Sequence, residues 1–460
     1  MGFSRRRFLA LAGTSAAGVT MLSPLEALYA RAALGQVARG IGYGPLEPKL
    51  PENADELVGV VFNGVNLSQS PALELPPGFN YTVISYTGQF MDDGNRVPGL
   101  HDGMAAFPGP NNTTILVRNH ELNPTSNGVI ASPEFLYDRI AGGTTTIVVG
   151  PDRRLRKHFG SLAGTFRNCA GGPTPWGSWV SCEETVVLPP SNGATKPHGY
   201  NFEVPATDDI RVAEPVPLVA MGRFNHEAIA VDPATGWVYQ TEDEGSSCFY
   251  RFIPNEYGNL RSGGTLEALA IDGMFRVNTR TNFSQYLNQP LPVQWVTIDD
   301  VDPVNNSSTI AVRTQGQNKG AAIFSRGEGC WYGNGLIYFT CTNGGDANQG
   351  QIFAYDPTNN TITLVVESRN IQELNAPDNI TVSPFGDLFV CEDGSGREYV
   401  QGVNQRGEVY QFAANAIPAP FDGSEFAGAC FSPDGRTLFV NIQSPGITCA
   451  IWGPWERRRS

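Results

Sequence analysis

The sequence predicts an all-β fold, a six-bladed β-propeller contained in one domain. Three observations predict it. Six segments read as the same hairpin, in which an apolar run, a tight turn and a second apolar run follow one another. The turns include DPATG at 232–236, SPFGD at 383–387 and SPDGR at 432–436. Each hairpin carries its polar or acidic residues at one end, where the start of the first strand meets the end of the second. The second strands end near residues 121, 184, 243, 343, 393 and 443, at spacings of roughly 50–63 residues with one of about 100, the length that a four-stranded blade needs. The competing architecture is a β-sandwich, or a pair of them, with coincidental turns.

The elements follow in order. Ser4-Arg5-Arg6-Arg7-Phe8-Leu9 has the twin-arginine export pattern, and the mildly apolar run 10–22 follows it. That run is shorter than the ~20 apolar residues a membrane helix needs. Ala30-Arg31-Ala32 offers a small-x-small cleavage site. Residues 1–32 are therefore expected to be a signal peptide and 33–460 a single propeller domain. Such a protein is delivered by the twin-arginine machinery to the periplasm or beyond, with no stable membrane insertion, and is expected to be a monomer. Residues 33–75 are Pro/Gly-rich and expected to wrap the outside irregularly. Residues 75–86 read as a turn leading into the first outer strand. Strand signals then dominate, as in 114–117, 146–149, 236–239, 336–339, 361–366, 387–390 and 437–440, rich in β-branched and aromatic residues. Helical periodicity is expected only in 132–141 and near 260–269, and the long gap reads as an insertion carrying 260–311.

With 45 acidic against 31 basic residues the net charge is −14, which recommends sites for cations over a nucleic-acid partner. The eight cysteines are scattered without a C-x2-C pair, so they form neither a zinc site nor a dense disulfide framework. One or two disulfides fit an oxidising destination. Cys341, Cys391 and Cys430 lie inside apolar strand patterns and read as buried thiols.

A propeller would gather its hairpin ends around one mouth. The candidates are Asp102, Glu121, Cys169, Glu183, Glu184, His226, Glu227, Glu242, Asp243, Glu328, Asp378, Glu392 and Asp393, with Glu425 beginning the sixth hairpin. So many carboxylates would repel one another unless cations sat among them. Oxygen donors suit calcium, whereas a thiolate among them suggests a transition metal, of which iron accepts both oxygen and sulfur. Cys169 has three readings: a metal thiolate, a disulfide with Cys182, or inert packing. Arg326 reads as the only arginine at a hairpin start. Its planar fork suits an anion such as phosphate, and the plainer reading is a charge partner for Glu328. His120 and His226, each preceding an acid, are either ligands or groups that orient the neighbouring carboxylate. No nucleophile elbow supports Ser/His/Asp catalysis.

The strings SRRRFL, RNHE, NCAGGPTPWGSWVSCEE, NHEAIAVDP with QTEDEG, SRGEG, APDNITVSPFGDLFVCEDG and FSPDGRTLFVNIQ resemble the PhoX-type alkaline phosphatases. They run from the signal to within about twenty residues of the C-terminus. The resemblance implies a twin-arginine-exported propeller that hydrolyses phosphate monoesters with ferric iron and calcium. It would make Cys169 an iron-ligating thiolate. The positions Glu121, Glu183, Glu184, Glu227, Glu242, Asp243, Glu328, Asp378, Glu392 and Asp393 would supply carboxylates to the metals, with Arg326 and Glu328 as the catalytic pair and Arg326 clamping the substrate phosphate. Small phosphate esters would be the substrates, some diesters among them. The chain departs from the pattern in its compact length, and in the fourth and sixth hairpins, which end in Thr-Asn-Gly-Gly and Asn-Ile-Gln. Two other functions compete: a calcium-dependent lactonase or phosphotriesterase, and a calcium-binding propeller without catalysis. Neither requires Cys169.

Overall fold

The structure, a computed structural model, describes residues 41–123, 126, 135–307 and 309–457. The expected signal peptide, the start of the following extension and residues 132–134 lie outside these. All six expected hairpins are present. They pair His101–Pro108 with Thr114–His120, Asn168–Pro173 with Ser178–Glu183, and His226–Val231 with Val238–Glu242. The other three pair Gly327–Gly333 with Leu336–Cys341, Pro377–Val382 with Leu388–Glu392, and Phe426–Phe431 with Leu438–Ile442. Their first strands touch in a closed cycle, each against the next and the sixth against the first. The strands are nearly continuous apolar runs because both faces are covered by neighbouring sheets.

The arrangement is propeller-like but does not resolve into six separate sheets. The first and sixth hairpins each grow into a four-stranded sheet, and the second into three strands. The third and fourth hairpins belong to one nine-stranded sheet. Leu291–Thr297, from the long gap, reaches the outer strand Thr361–Glu367 through the pairs Leu291↔Ile362 and Pro292↔Thr361. The insertion thus adds edge strands to an existing sheet, which covers their unpaired backbone groups.

Two local expectations are corrected. The region near 260–269 is a 3-10 turn, Leu260–Ser262, followed by the strand Gly264–Ile271; Thr265, Leu266 and Ile271 suit a pleated sheet better than a helix. Residues 135–141 hold no helix, and among the described residues the one α-helix is Val312–Asn318. The N-terminal extension is more ordered than expected: Glu47–Lys49 and Leu73–Leu75 extend the sheet of the fifth hairpin.

Asn80–Tyr86, as expected an outer strand, pairs with Ile447–Trp452 near the other end of the chain. This pairing completes the sixth sheet with an early segment and closes the circle. Trp455 then packs on Tyr43, Phe79, Phe389 and Phe412. Between the third and fourth hairpins Phe249 stacks on Phe339 at 4.1 Å, and Phe339 on Phe353 at 5.2 Å. Burying each such ring contributes on the order of 2–3 kcal/mol, so the sheets are held chiefly by their faces.

Candidate active site

In every hairpin the pairing register slips by one residue just inside the first strand. Such bulges re-aim side chains. The residues at the slip are Asp102-Gly103, Cys169-Ala170, Glu227-Ala228, Glu328-Gly329, Asp378-Asn379 and Gly428-Ala429. In five of the six pairs the second residue is Gly or Ala, where neighbouring bulges crowd; the exception is Asn379. A Cβ on Gly103 would lie 2.5 Å from the Ala170 Cα, and one on Gly329 would lie 2.5 Å from the Asp378 carbonyl oxygen. Five repeats therefore present a carboxylate or thiol from equivalent backbone positions, and the ring of first strands brings these together.

Three groups of potential ligand atoms result, each within 4.8 Å: Cys169, Glu184 and Glu227; Glu227, Glu328 and Asp378; and Asp102, Glu121 and Glu425. Glu227 belongs to two of them. Arg326 lies across the rim, donating from Nε and Nη2 to the two oxygens of Asp243 at 2.8 and 3.0 Å, and from Nη2 to Glu328 at 2.8 Å. Arg167 donates to Glu121 and Glu184, each at 2.7 Å. Asp393 shares a hydrogen bond with Glu425. Burial, with neighbouring carboxylates, pushes the pKa values of Asp102, Glu184, Glu227, Glu328, Asp378 and Glu425 well above the ordinary carboxylate range. Burial first, then Glu227 and Glu184, does the same to the Cys169 thiol. Two guanidiniums cannot balance so many acids, and the buried Oδ1 of Asp378 has no hydrogen-bond partner among the described residues. The donor set fits bound cations.

The alkaline phosphatase PhoX family matches residues 60–134 and 130–446. The chain belongs to this family. As a PhoX-family member it is a phosphatase and so a hydrolase. The solved structure of Pseudomonas fluorescens PhoX in complex with vanadate, a transition state analogue, is similar with a TM-score of 0.65 at 20% identity, over 90% of this chain and 98% of that one. It shares the fold. Virginiamycin B lyase from Staphylococcus aureus reaches a TM-score of 0.40 at 11% identity, over 81% of this chain and 99% of that one. No curated protein matches the chain.

In this PhoX-family chain the mouth does not gather every expected residue. Glu183, Glu242 and Glu392 each precede a mouth acid, so strand alternation turns them to the other face. There Glu183 accepts from Phe166, Gly199, Tyr200 and His198. Glu242 accepts from Tyr250 and Arg313, and Glu392 from Asn375 and Gln401. They hold loops and outer strands. His120 bonds the Gly99 carbonyl and Thr145, and His226 the Gly222 carbonyl while stacking on Phe224; neither reaches the ligand groups. All eight cysteines are free and buried, which removes the disulfide of Cys169 with Cys182 and any other.

Glu425 sits at the mouth, but not at the equivalent of Asp102. Its carbonyl accepts from the Gln443 N–H, as those of Arg167 and Arg326 accept from Glu184 and Thr342. It therefore occupies the arginine position, and Gly428 stands at the bulge. Arg326 is not the only arginine at a hairpin start. Arg167 holds the equivalent place, with φ 46° beside 49° for Arg326, and the side chains are 34% and 36% exposed. The signal was present in the sequence, since an arginine stands two residues before the ligand position in both Arg167-Asn-Cys169 and Arg326-Gly-Glu328. Gln443 was also missed, and its amide donates to both Asp102 and Glu121.

Proposed function

We propose that this phosphatase is exported, that it hydrolyses phosphate monoesters, and that its mouth holds ferric iron and calcium. The observation that carries the reading is the pair of ligand groups sharing Glu227. One includes the Cys169 sulfur beside two carboxylates, a set suited to iron. The other, Glu227 with Glu328 and Asp378, is purely carboxylate, as is the separate group of Asp102, Glu121 and Glu425, a set suited to calcium. Bound there, the cations supply charge neutralisation and Lewis acidity. We assign 33–460 to one domain on the sequence, and read its described residues as six blades because the first strands close a six-membered cycle; the nine-stranded sheet is then two blades joined at their outer edges. Export rests on Ser4–Leu9, and among the described residues no helix is long and apolar enough to cross a membrane.

Arg326 is the residue we assign to the transferring phosphoryl group. Its fork is fixed to Asp243 and Glu328 at the rim and remains partly open to solvent, so its donors are oriented before substrate arrives. Asp243 and Glu328 position it, and Glu328 shares a ligand group as well. The P–O bond to the alcohol breaks as water's oxygen bonds phosphorus, water's proton ends on the departing alcohol oxygen, and charge on the equatorial oxygens is met by the guanidinium. The lactonase and non-catalytic alternatives fall away with the family assignment.

The test is elemental analysis of protein exported by its native route, with hydrolysis of p-nitrophenyl phosphate and of bis-p-nitrophenyl phosphate. Iron together with calcium, and monoester turnover that disappears on chelation, is expected. Calcium without iron, or turnover surviving complete metal removal, overturns the reading.

A further inference from the structure

The slip that aims each ligand into the mouth also takes a backbone carbonyl out of the strand ladder. A buried carbonyl needs a donor. In four of the six repeats that donor is a side chain of the preceding hairpin, always the next-to-last residue of its second strand. Asn119 Nδ2 donates to the carbonyls of Cys169 at 3.2 Å and Ala170 at 2.6 Å. Thr241 Oγ1 donates to the Glu328 carbonyl. Thr340 Oγ1 donates to the Asp378 carbonyl at 2.7 Å, and Asn441 Nδ2 to the Asp102 carbonyl at 2.5 Å. Asn119 is itself fixed, because its Oδ1 accepts from Trp179 Nε1 and Ser181 Oγ, both at 2.9 Å. Asn441 accepts from Thr448 Oγ1 at 2.6 Å. The equivalent positions in the second and fifth hairpins are Cys182 and Cys391, both buried.

We infer that Asn119, Thr241, Thr340 and Asn441 are positioning residues, which set the spacing of the metal-binding side chains across the joints between neighbouring hairpins. The inference rests on the metal reading proposed above. Each bond ties a ligand residue on one hairpin to the sheet before it, and the ligand groups draw on several hairpins: Cys169, Glu227, Glu328 and Asp378 come from four. Rotation or slippage between two sheets would spread the donor atoms without breaking either sheet. The side chain bridging the joint opposes that displacement. Outer contacts of this kind typically carry 10–100-fold in metal affinity.

Thr340→Val is the informative variant, since it keeps shape and removes the hydroxyl donor. Thr340→Ser restores the hydroxyl. Thr146→Val is the control: Thr146 is fully buried and its hydroxyl has no partner among the described residues. Each full-length protein is equilibrated against chelator-buffered calcium, its bound calcium is measured, and its thermal midpoint is recorded. Thr340→Val is expected to half-load at a free calcium concentration about tenfold or more above wild type. Thr340→Ser and Thr146→Val should stay within about twofold of it. If Thr340→Val loads like Thr146→Val, the brace is packing alone and the inference fails. Should Thr340→Val not fold, Thr241→Val is judged by the same criterion. A wild type that binds no metal would instead sink the proposed function, and is read from the same titration.

Discussion

Cys169 is a buried thiol with two carboxylates within ligand reach, and its Sγ also meets the carbonyls of His226 and Glu227 at 3.4 and 3.7 Å. Replacing it by alanine is expected to remove iron and most turnover while leaving the fold intact, because blade contacts carry the stability. Elemental analysis beside circular dichroism checks this; unchanged iron content would return Cys169 to inert packing. Arg326→Lys keeps the charge but loses the two-pronged grip. It is expected to lower kcat and kcat/KM together by about 2–4 kcal/mol, as for other removed oxyanion donors, with metal content unchanged. Loss of metal would mean that Arg326 mainly neutralises Asp243 and Glu328. At this scale the sequence was readable where a residue's type is unusual for its place, as with a cysteine opening a hairpin. It misled at Glu183, Glu242 and Glu392, because adjacent acids in a strand look alike on paper while only alternate ones face the mouth.

The bulge is the element that makes the site, and Gly428 shows what it demands. Its φ is +63°, and an added Cβ would lie 2.5 Å from the Asp102 carbonyl oxygen and 2.7 Å from Asn441 Nδ2. Gly428→Ala is expected to destabilise by the left-handed backbone cost of about 1 kcal/mol plus the clash, for a total of roughly 2–4 kcal/mol. Gly177→Ala supplies the comparison, with φ +86° and open space at its Cβ position. Equal losses in denaturant unfolding of the two variants would show that the crowding at the sixth bulge yields cheaply. The hairpins themselves were legible because apolar runs and turn residues repeat locally. The register of the sixth was not: Glu425-Phe426-Ala427 holds an acid three residues before the bulge, and only pairing of Phe426 with Ile442 and Ala427 with Asn441 reveals the shift.

For the whole molecule, closure by Asn80–Tyr86 was foreshadowed as an outer strand, whereas the joining of the third and fourth hairpin sheets was not. That joint depends on two residue pairs about seventy positions apart in the chain, and no local pattern encodes such a contact. The mouth, in turn, couples stability to cations and pH. Asp102, Glu184, Glu227, Glu328, Asp378 and Glu425 have folded pKa values above their unfolded ones, chiefly through burial. The metal-free fold therefore binds more protons than the unfolded chain. The stability these groups contribute is fully present below the ordinary carboxylate range and is lost as pH rises through the raised values. His101, His120, His158 and His226 act oppositely: burial lowers their pKa values, so their contribution is lost as pH falls below about 6.5. Because the histidines lie outside the ligand groups, their effect is shared by loaded and chelated protein and cancels in the difference. Bound cations need the ionised carboxylates and remove the repulsion, and a site filled at 100 times its Kd adds about 2.7 kcal/mol. The gap in thermal midpoint between calcium-loaded and chelated protein is thus expected to widen from pH 5 to pH 8. A gap that stayed constant or narrowed would mean that protonation and metal do not compete for these carboxylates, and that the acids at the mouth are not where the cations bind.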